Sequence, residues 1–366
     1  MEKRGSSKVE YKPNWGLITV ALSIVIIGLL TLYSANYRLD TEVTLFYKQI
    51  CWVILGIMFM IIAIFINYYR LKFYIPYLYV LILILLGSVL IFGHSVMGSK
   101  RWLSLGLFAI QPSEFTKPII ILILAKYFSE AETIIHGLKS FLKVVALVFL
   151  PAILIILEPH LGTALILFML FSTMIFVVPV RPKILWGSAC LGIFLSPLIW
   201  FFVLKGYQKK RIISFLFPSH DPLGAGYHIL QSKIAVGSGW IFGKGFLKGT
   251  QTQLHFLPER CTDFIFSVFA EEWGLLGCLV LLGLYFYLIT MGLDIAKKAK
   301  TSFGTMLALG LTAMFFWQTV INIAMALGLL PIVGVPLPFM SYGGSTSLVN
   351  FISLGLLINV GRRHYL

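Results

Sequence analysis

Stretches of about 20 predominantly apolar residues recur along the whole chain and limit what it can fold into. That is the length an α-helix needs to cross the hydrocarbon core of a bilayer. Of the 366 residues, 59% are hydrophobic and 12% are charged, about half the charged fraction of a soluble domain. A membrane β-barrel would instead alternate apolar and polar residues over segments of roughly ten. We therefore expect an all-α polytopic membrane protein that forms a single domain over residues 1–366.

About ten transmembrane helices are predicted. They cover residues 16–35, 49–66, 75–92, 113–128, 144–157, 162–178, 184–204, 264–291, 303–327 and 346–360. Lysine and arginine are concentrated in residues 1–14 and in every second short connection, which places those segments inside the cell. Both termini are then cytoplasmic, with 1–14 as a cytoplasmic tail. The segments 93–112 and 205–262 become extracytoplasmic loops, the second a large one between helices 7 and 8.

The two outer loops are basic, which runs against the usual charge bias. Their lysines and arginines include Lys100, Arg101, Lys205, Lys209, Lys210, Arg211, Lys233, Lys244, Lys248 and Arg260. Long loops follow the bias only weakly, so the topology stands. These cations suit an anionic group at headgroup depth, or simply lipid phosphates. Because Lys and Arg residues are scattered between membrane spans, nucleic acid is not an expected partner.

The stretch 257–272 carries an unusual concentration of charge at the edge of an apolar segment. Glu259, Arg260, Asp263, Glu271 and Glu272 lie within it. A carboxylate beside hydrocarbon needs a partner, a water-filled cavity or a function. Asp263, at the junction of loop and helix, is the best candidate for a general base. We expect one of Glu271 and Glu272, but not both, to face a cavity.

Two other segments can contribute to the same outer site. Glu114 and Lys117 are three residues apart and share a helix face, either as a charged pair that lines a substrate cavity or as a buried structural ion pair. Residues 329–345 contain three prolines and three glycines, an irregular backbone tolerated at membrane depth only around a cavity or inside protein. Ser341 can offer its hydroxyl to such a cavity or cap a tight turn.

The large outer loop also contains a glycine-rich run at residues 237–249. Glycine allows backbone N–H groups to approach and surround an anion. The run matches neither a P-loop nor a dinucleotide fingerprint, since both follow a strand and open a helix. Soluble nucleotide chemistry is therefore not indicated.

Several motifs together resemble one family. They are GSKRWLSLG (98–106), QPSEFTK (111–117), DPLGAGYHILQS (221–232), GKGFLKGTQ (243–251), LPERCTDFIFSVFAEE (257–272) and VPLPFMSYGGS (335–345). In this order they resemble the SEDS family (shape, elongation, division and sporulation), and its rod-shape branch more closely than its division branch. The ordered set is specific, whereas any one motif alone would be weak.

The resemblance implies a peptidoglycan glycosyltransferase of the cytoplasmic (inner) membrane that polymerises lipid II on the outer face during cell elongation. Undecaprenyl pyrophosphate is the implied leaving group, and a class B penicillin-binding protein, the transpeptidase, is the implied partner. The family's essential aspartate corresponds to Asp263. Its conserved tryptophan corresponds to Trp102, and its glutamate and lysine correspond to Glu114 and Lys117.

Two positions depart from the family pattern. The family usually has Gln-Pro-Asp-Leu-Gly-Thr after the fifth span, where this chain has Glu158 and, in place of the aspartate, His160. It also commonly has histidine two residues before the essential aspartate, where this chain has Cys261. Glu158 and His160 can redistribute the charge that the aspartate would carry.

The reaction implied needs a base and a cation. Aromatic neighbours should raise the pKa of Asp263, and Arg260 should lower it. The leaving pyrophosphate can be neutralised by lysine and arginine, or by a divalent cation such as Mg²⁺ or Mn²⁺ that Asp263 and Glu259 would hold. Candidate cationic side chains are Lys100, Arg101, Lys209, Lys210 and Arg211.

Two other functions fit a polytopic bundle with charges inside it. A lipid II flippase would also place ionisable groups such as Glu114 and Lys117 in the membrane. A scaffold without catalytic activity within a cell-wall synthase is the second alternative. Neither needs a carboxylate base beside a basic outer loop, so Asp263 favours the polymerase.

Overall fold

The computed structural model describes residues 15–37, 43–96, 99–105, 108–130, 138–217, 221, 224–254, 256–257 and 259–362. Within these ranges the chain forms thirteen α-helices, one π-helical turn and three short strands. Helices follow the apolar stretches because a backbone inside hydrocarbon must satisfy its own hydrogen bonds. The predicted cytoplasmic tail at 1–14 lies outside the described residues.

In the described part of the chain, one helix coincides with each predicted span. These helices are α1 (Trp15–Asn36), α2 (Val43–Phe65), α3 (Tyr68–Phe92), α4 (Pro112–Glu130), α5 (Leu138–Leu157), α6 (Leu161–Val177), α7 (Pro182–Leu198), α11 (Ile265–Lys298), α12 (Ser302–Ala326) and α13 (Gly344–Arg362). Of these, α1, α2, α3, α5, α11, α12 and α13 are long and apolar enough to cross a membrane. The polytopic membrane fold is confirmed, while the number of ten spans stays a prediction.

Helix α4 lies inside the bundle rather than at its surface. Most of its residues are buried, and it packs against α3, α6 and α12. A helix surrounded by protein does not need an apolar surface all round, which explains how Glu114 and Lys117 are accommodated. Helix α13 is also largely buried and packs closely against α2.

The two segments predicted to be extracytoplasmic loops contain regular secondary structure. The segment 205–262 carries α8 (Gly206–Leu216), α9 (Ala225–Ser238) and the short α10 (Thr250–Gln253). The segment 93–112 forms an antiparallel sheet in the order β1 (His94–Val96), β2 (Ser99–Leu105), β3 (Phe108–Ile110). Within the described ranges this sheet departs from an all-α fold, and it pairs backbone groups that the loop would otherwise leave unsatisfied.

Helix α11 is interrupted after its first three turns. Gly274 has φ 63° and ψ −163°, outside the helical region. The glycine-rich loop supplies the hydrogen bonds that the break removes: Lys244 N donates to Glu271 O over 3.0 Å and Leu275 N donates to Trp240 O over 2.8 Å. The outer part of α11 is therefore held by this loop.

Candidate active site

Asp263 lies in the turn that leads into α11, and α12 fixes its backbone. The side-chain amide of Asn322 donates to the carbonyl of Asp263 over 2.9 Å and to the carbonyl of Val335 over 2.8 Å. Asn322 is fully buried. One amide thus joins the turn of Asp263 to the irregular loop 327–343. A polar residue inside an apolar helix was the signal in the sequence for this role.

The same irregular loop holds the turn through Ser341. The Ser341 hydroxyl donates to Thr262 O over 2.7 Å and accepts from Leu337 N over 2.8 Å. In addition, Tyr342 N donates to Cys261 O over 2.9 Å. Ser341 therefore braces the loop against the residue before Asp263, and its predicted contact with substrate stays a prediction.

Gly334 faces the carboxylate of Asp263. Its φ of 73° is one that side-chain-bearing residues rarely adopt, and a Cβ placed there would lie 3.6 Å from Asp263 Oδ2. Glycine is therefore required for the turn, and it leaves room beside the carboxylate. The sequence marked this loop as irregular but did not single out Gly334.

The environment of Asp263 suits a base near neutral pH. The pKa of its carboxyl is raised to about 6, first by burial and then by the Glu259 carboxylate, against the lowering effect of Arg211 and Arg101. The expectation that apolar surroundings raise this pKa is confirmed, since burial is the largest cause of the rise and the neighbouring Phe264 is buried. A base with a pKa close to the working pH is the most effective one.

Arg260 is not among the groups that shift the pKa of Asp263, contrary to the expectation that it lowers this pKa. Its Nε donates to Ala35 O at the end of α1 over 2.8 Å. Cys261 likewise donates from Sγ to Asn36 Oδ1 over 3.1 Å. Carbonyl groups at a helix C-terminus carry partial negative charge and attract cations. Arg260 and Cys261 therefore anchor the segment to α1.

Two arginines from distant segments of the chain lower the pKa of Asp263 instead. Arg211, on α8, donates from Nη1 to Ile332 O over 3.3 Å. Arg101, on β2, donates to the carbonyl of Glu158, over 3.4 Å, and to that of Pro159. Backbone carbonyls thus hold both guanidinium groups where their charge acts on the pKa of the carboxyl.

Other predicted cations and their neighbours take different positions. Lys210 forms a 3.1 Å ion pair with Asp221, and Lys209 donates to Phe201 O over 3.3 Å. Lys100 lies on β2 opposite Ser95, but its side chain is outside the description. Of the predicted cations, Arg101 and Arg211 are the two that act on the pKa of Asp263.

Glu114 and Lys117 form a buried ion pair. Their charged atoms are 2.8 Å apart and each side chain is 2% exposed. The Thr346 hydroxyl, on α13, donates to Glu114 Oε2 over 2.9 Å. The pair therefore joins α4 to α13, which is consistent with either of the two roles considered for it.

Glu158 and His160, which stand where the family usually has glutamine and aspartate, carry little charge at neutral pH. Burial lowers the pKa of His160 to about 3, and burial raises the pKa of Glu158 to about 8. The neutral His160 ring contacts the Ser113 hydroxyl, 3.0 Å from Nδ1, and Thr163 at the same distance. His160 thus contributes hydrogen bonds rather than a charge to the network between α4 and α6.

Glu271 and Glu272 are both buried, so the expectation that one faces a cavity is not what the structure shows. Glu271 accepts from Lys244 Nζ over 2.7 Å, Gln251 N over 2.9 Å and Thr252 N over 3.2 Å. Glu272 accepts from the Ser34 hydroxyl of α1. Backbone N–H groups directly after the glycine-rich run thus bind a carboxylate of the protein itself, that of Glu271.

An open cavity of about 820 Å³ lies beside this site. One face of α2 forms one wall, and Trp102, Ala109, Thr262 and the segment 342–344 form the others. Trp102 therefore lies at the cavity, next in sequence to Arg101, and its predicted contact with substrate stays a prediction. Cavities of this size accommodate small-molecule ligands.

A metal ion would have two carboxylates available here. Glu259 acts on the pKa of Asp263 and accepts from the Thr262 hydroxyl over 2.8 Å. Among the described residues, no group of three or more His, Cys, Asp or Glu side chains could hold a metal. Mg²⁺ commonly binds through one or two carboxylates together with substrate phosphates, so the pair fits that ion.

Comparisons with known proteins identify the family and the fold of this chain. The cell-cycle protein family FtsW/RodA/SpoVE matches residues 14–366. The peptidoglycan glycosyltransferase MrdB of Escherichia coli K12 is 38% identical over 353 residues, covering 96% of this chain and 94% of MrdB. A chain of a peptidoglycan synthase complex that coordinates polymerization and crosslinking has a TM-score of 0.82 and 30% identity, covering 96% of this chain and 98% of that one. The crystal structure of the rod shape determining protein RodA of Thermus thermophilus has a TM-score of 0.72 and 28% identity, covering 97% and 98%.

Proposed function

Because the chain belongs to the FtsW/RodA/SpoVE family, we propose that it is a peptidoglycan glycosyltransferase that polymerises lipid II. It works at the outer face of the cytoplasmic membrane, in cell elongation. The observation that carries the proposal is the Asp263 carboxyl, whose pKa is raised to about 6 in the presence of two arginines, directly after Thr262, which lines a cavity of about 820 Å³.

The chemistry follows from the positions of these groups. Asp263 accepts the proton of a hydroxyl group on the acceptor sugar. The oxygen of that hydroxyl group attacks the anomeric carbon of the donor. The bond from that carbon to the diphosphate oxygen breaks, and the diphosphate leaves with the electron pair. Arg101 and Arg211 stabilise the charge that develops on the leaving group. Inversion at the donor carbon is implied by the family resemblance.

A divalent cation is a second way to neutralise the leaving group. Asp263 and Glu259 would hold it, and the ion would supply positive charge to the diphosphate oxygens. In that case chelation by EDTA abolishes polymerisation and added Mg²⁺ or Mn²⁺ restores it. If the arginines suffice, EDTA leaves the rate unchanged.

The proposed partner is a class B penicillin-binding protein, whose transpeptidase activity would crosslink the new glycan. Its support is the similar chain found in a peptidoglycan synthase complex. The undecaprenyl pyrophosphate that leaves the donor would return to the membrane. Proximity to the partner would let a growing strand pass directly to crosslinking.

One experiment separates polymerase from flippase. The purified protein is reconstituted in vesicles with lipid II, and both the glycan length and the movement of lipid II between leaflets are measured. The proposal predicts glycan strands from lipid II that is present on the outer leaflet from the start. Transport without any polymer, with or without the transpeptidase present, would favour the flippase, and neither activity would favour the scaffold.

A further inference from the structure

One exposed cation in the candidate cavity was not among the residues predicted to bind substrate. Lys48 lies in the second turn of α2 and its side chain is exposed. It lines the cavity of about 820 Å³ together with Trp102 and Thr262. Since Thr262 directly precedes Asp263, Lys48 shares a cavity with the backbone of the candidate catalytic turn.

Two of the cations that were predicted to bind substrate form hydrogen bonds or ion pairs with other groups of the protein. Arg101 donates to the carbonyl groups of Glu158 and Pro159, and Lys210 pairs with Asp221 at 3.1 Å. Among the residues that the structure describes, no side chain forms a hydrogen bond or an ion pair with Lys48. An ammonium group with three donors is therefore available to an anion in the cavity.

The position of Lys48 relative to Asp263 is fixed by its neighbour Gln49. The Gln49 amide donates to Ser347 Oγ over 3.0 Å and accepts from Gly343 N over 3.1 Å. Two residues before Gly343, the Ser341 hydroxyl donates to Thr262 O over 2.7 Å. The turn of α2 that carries Lys48 and the turn that carries Asp263 are therefore held by the same loop.

The cavity changes from polar to apolar along α2. Lys48 marks its polar end, and Trp52 and Leu55 line it farther along the helix. Leu55 comes seven residues after Lys48, which corresponds to about 10 Å along a helix. A ligand with an anionic group between a polar head and an apolar chain matches this sequence of surfaces.

We propose that Lys48 is a substrate-binding residue that holds the diphosphate of a lipid-linked sugar in this cavity. The inference rests on the proposed function, which supplies a lipid diphosphate as the substrate. Lys48 contacts the diphosphate before and during the reaction, so it contributes mainly to binding. In the proposed mechanism Asp263 accepts the proton and the two arginines meet the charge that develops on the leaving oxygen, so these three groups contribute mainly to the reaction itself.

The test compares three purified variants in nanodiscs. They are Lys48→Met, Lys48→Arg and, as a matched control, Lys248→Met, which changes an exposed lysine of the glycine-rich loop that does not line the cavity. A lost charge-assisted hydrogen bond should raise KM for lipid II about tenfold or more. We expect Lys48→Met to show this rise with kcat within about threefold of wild type, and the other two variants to stay near wild type.

A direct binding assay tests the same inference without turnover of substrate. The probe is undecaprenyl diphosphate, with phosphatidylglycerol as the second ligand, and monodisperse elution checks that each variant is folded. We expect Lys48→Met to weaken diphosphate binding about tenfold while binding of phosphatidylglycerol is unchanged.

Unchanged diphosphate affinity in Lys48→Met would overturn the proposal. A loss confined to phosphatidylglycerol would also overturn it, because Lys48 would then anchor the protein to ordinary headgroups. If wild type binds the diphosphate through Lys48 but makes no glycan, the proposed function fails and this binding site stands.

Discussion

Removing one member of the Glu114–Lys117 pair should destabilise the protein much more than removing both. The two charges are 2.8 Å apart and each side chain is 2% exposed. Lys117→Met leaves the Glu114 carboxylate buried, with the Thr346 hydroxyl as a neutral donor. Leaving one member of a buried pair uncompensated costs about 3–5 kcal/mol. Replacing both charges, as in Glu114→Gln with Lys117→Met, is often nearly neutral, and we expect it within about 1 kcal/mol of wild type.

The measurement is unfolding of the purified variants in one detergent, combined as a double-mutant cycle. Since each single variant should cost about 3–5 kcal/mol and the double variant no more than about 1 kcal/mol, the expected coupling energy between the two sites is at least about 5 kcal/mol. A double variant destabilised by the sum of the two single effects would refute the reasoning, because the two sites would then not be coupled. The stable double variant also reports on function: we expect it to polymerise lipid II poorly, as the family resemblance implies. Wild-type activity would make the pair a packing feature.

Other predictions follow from the surroundings of Asp263. Its pKa of about 6 means that the base is protonated below this pH, so kcat/KM should rise with pH through about 6. Arg211→Gln removes a cation that lowers this pKa, so kcat/KM should rise at a higher pH than in wild type. Arg260→Gln should leave the pH profile of kcat/KM unchanged. An unchanged pH profile in Arg211→Gln would contradict the electrostatic argument. Gly334→Ala places a residue with a side chain at a positive φ, at a cost of roughly 1–2 kcal/mol. This variant should have a lower kcat with little change in KM. An unchanged kcat would show that the turn does not position the carboxylate of Asp263. Glu271→Gln loses charge-assisted hydrogen bonds and should lower the free energy of unfolding by about 1.5–3 kcal/mol, measured by denaturation in detergent; wild-type stability would exclude the bracing role.

The positions of the membrane helices could be predicted from the sequence because hydrophobic length alone largely determines them. The first helix was predicted at 16–35 and found at Trp15–Asn36, and the third was predicted at 75–92 and found at Tyr68–Phe92. The break in α11 could not be predicted. It depends on hydrogen bonds from a loop some 30 residues earlier in the chain, and sequence periodicity contains no information about such a contact.

The candidate base was identifiable because Asp263 borders an apolar segment, but its partners were not. Arg260 is three residues away in the chain and was expected to lower the pKa, yet it binds the end of α1 through Ala35. Arg211 and Arg101 are distant in sequence and act on the carboxyl instead. Nearness along the chain predicts a contact only within regular structure, and a turn before a helix is not regular structure.

The small sheet at β1–β3 was missed for a similar reason. Its strands are three to seven residues long, too short for alternation to stand out between two apolar helices. The sheet is nevertheless part of the site, because β2 carries both Arg101 and Trp102. Recognition of the family motif was a better guide to Trp102 than the local pattern of residues.

Polymerisation of purified lipid II by Asp263→Asn tests the central claim most directly. The matched control is Asp294→Asn, which changes an exposed carboxylate far along α11 from the candidate site. A general base contributes about 10²–10⁴-fold to a rate, so Asp263→Asn should make glycan at least about 100-fold more slowly while eluting as the folded protein. Asp294→Asn should retain the wild-type rate. Glycan formed by Asp263→Asn at the wild-type rate would contradict the account.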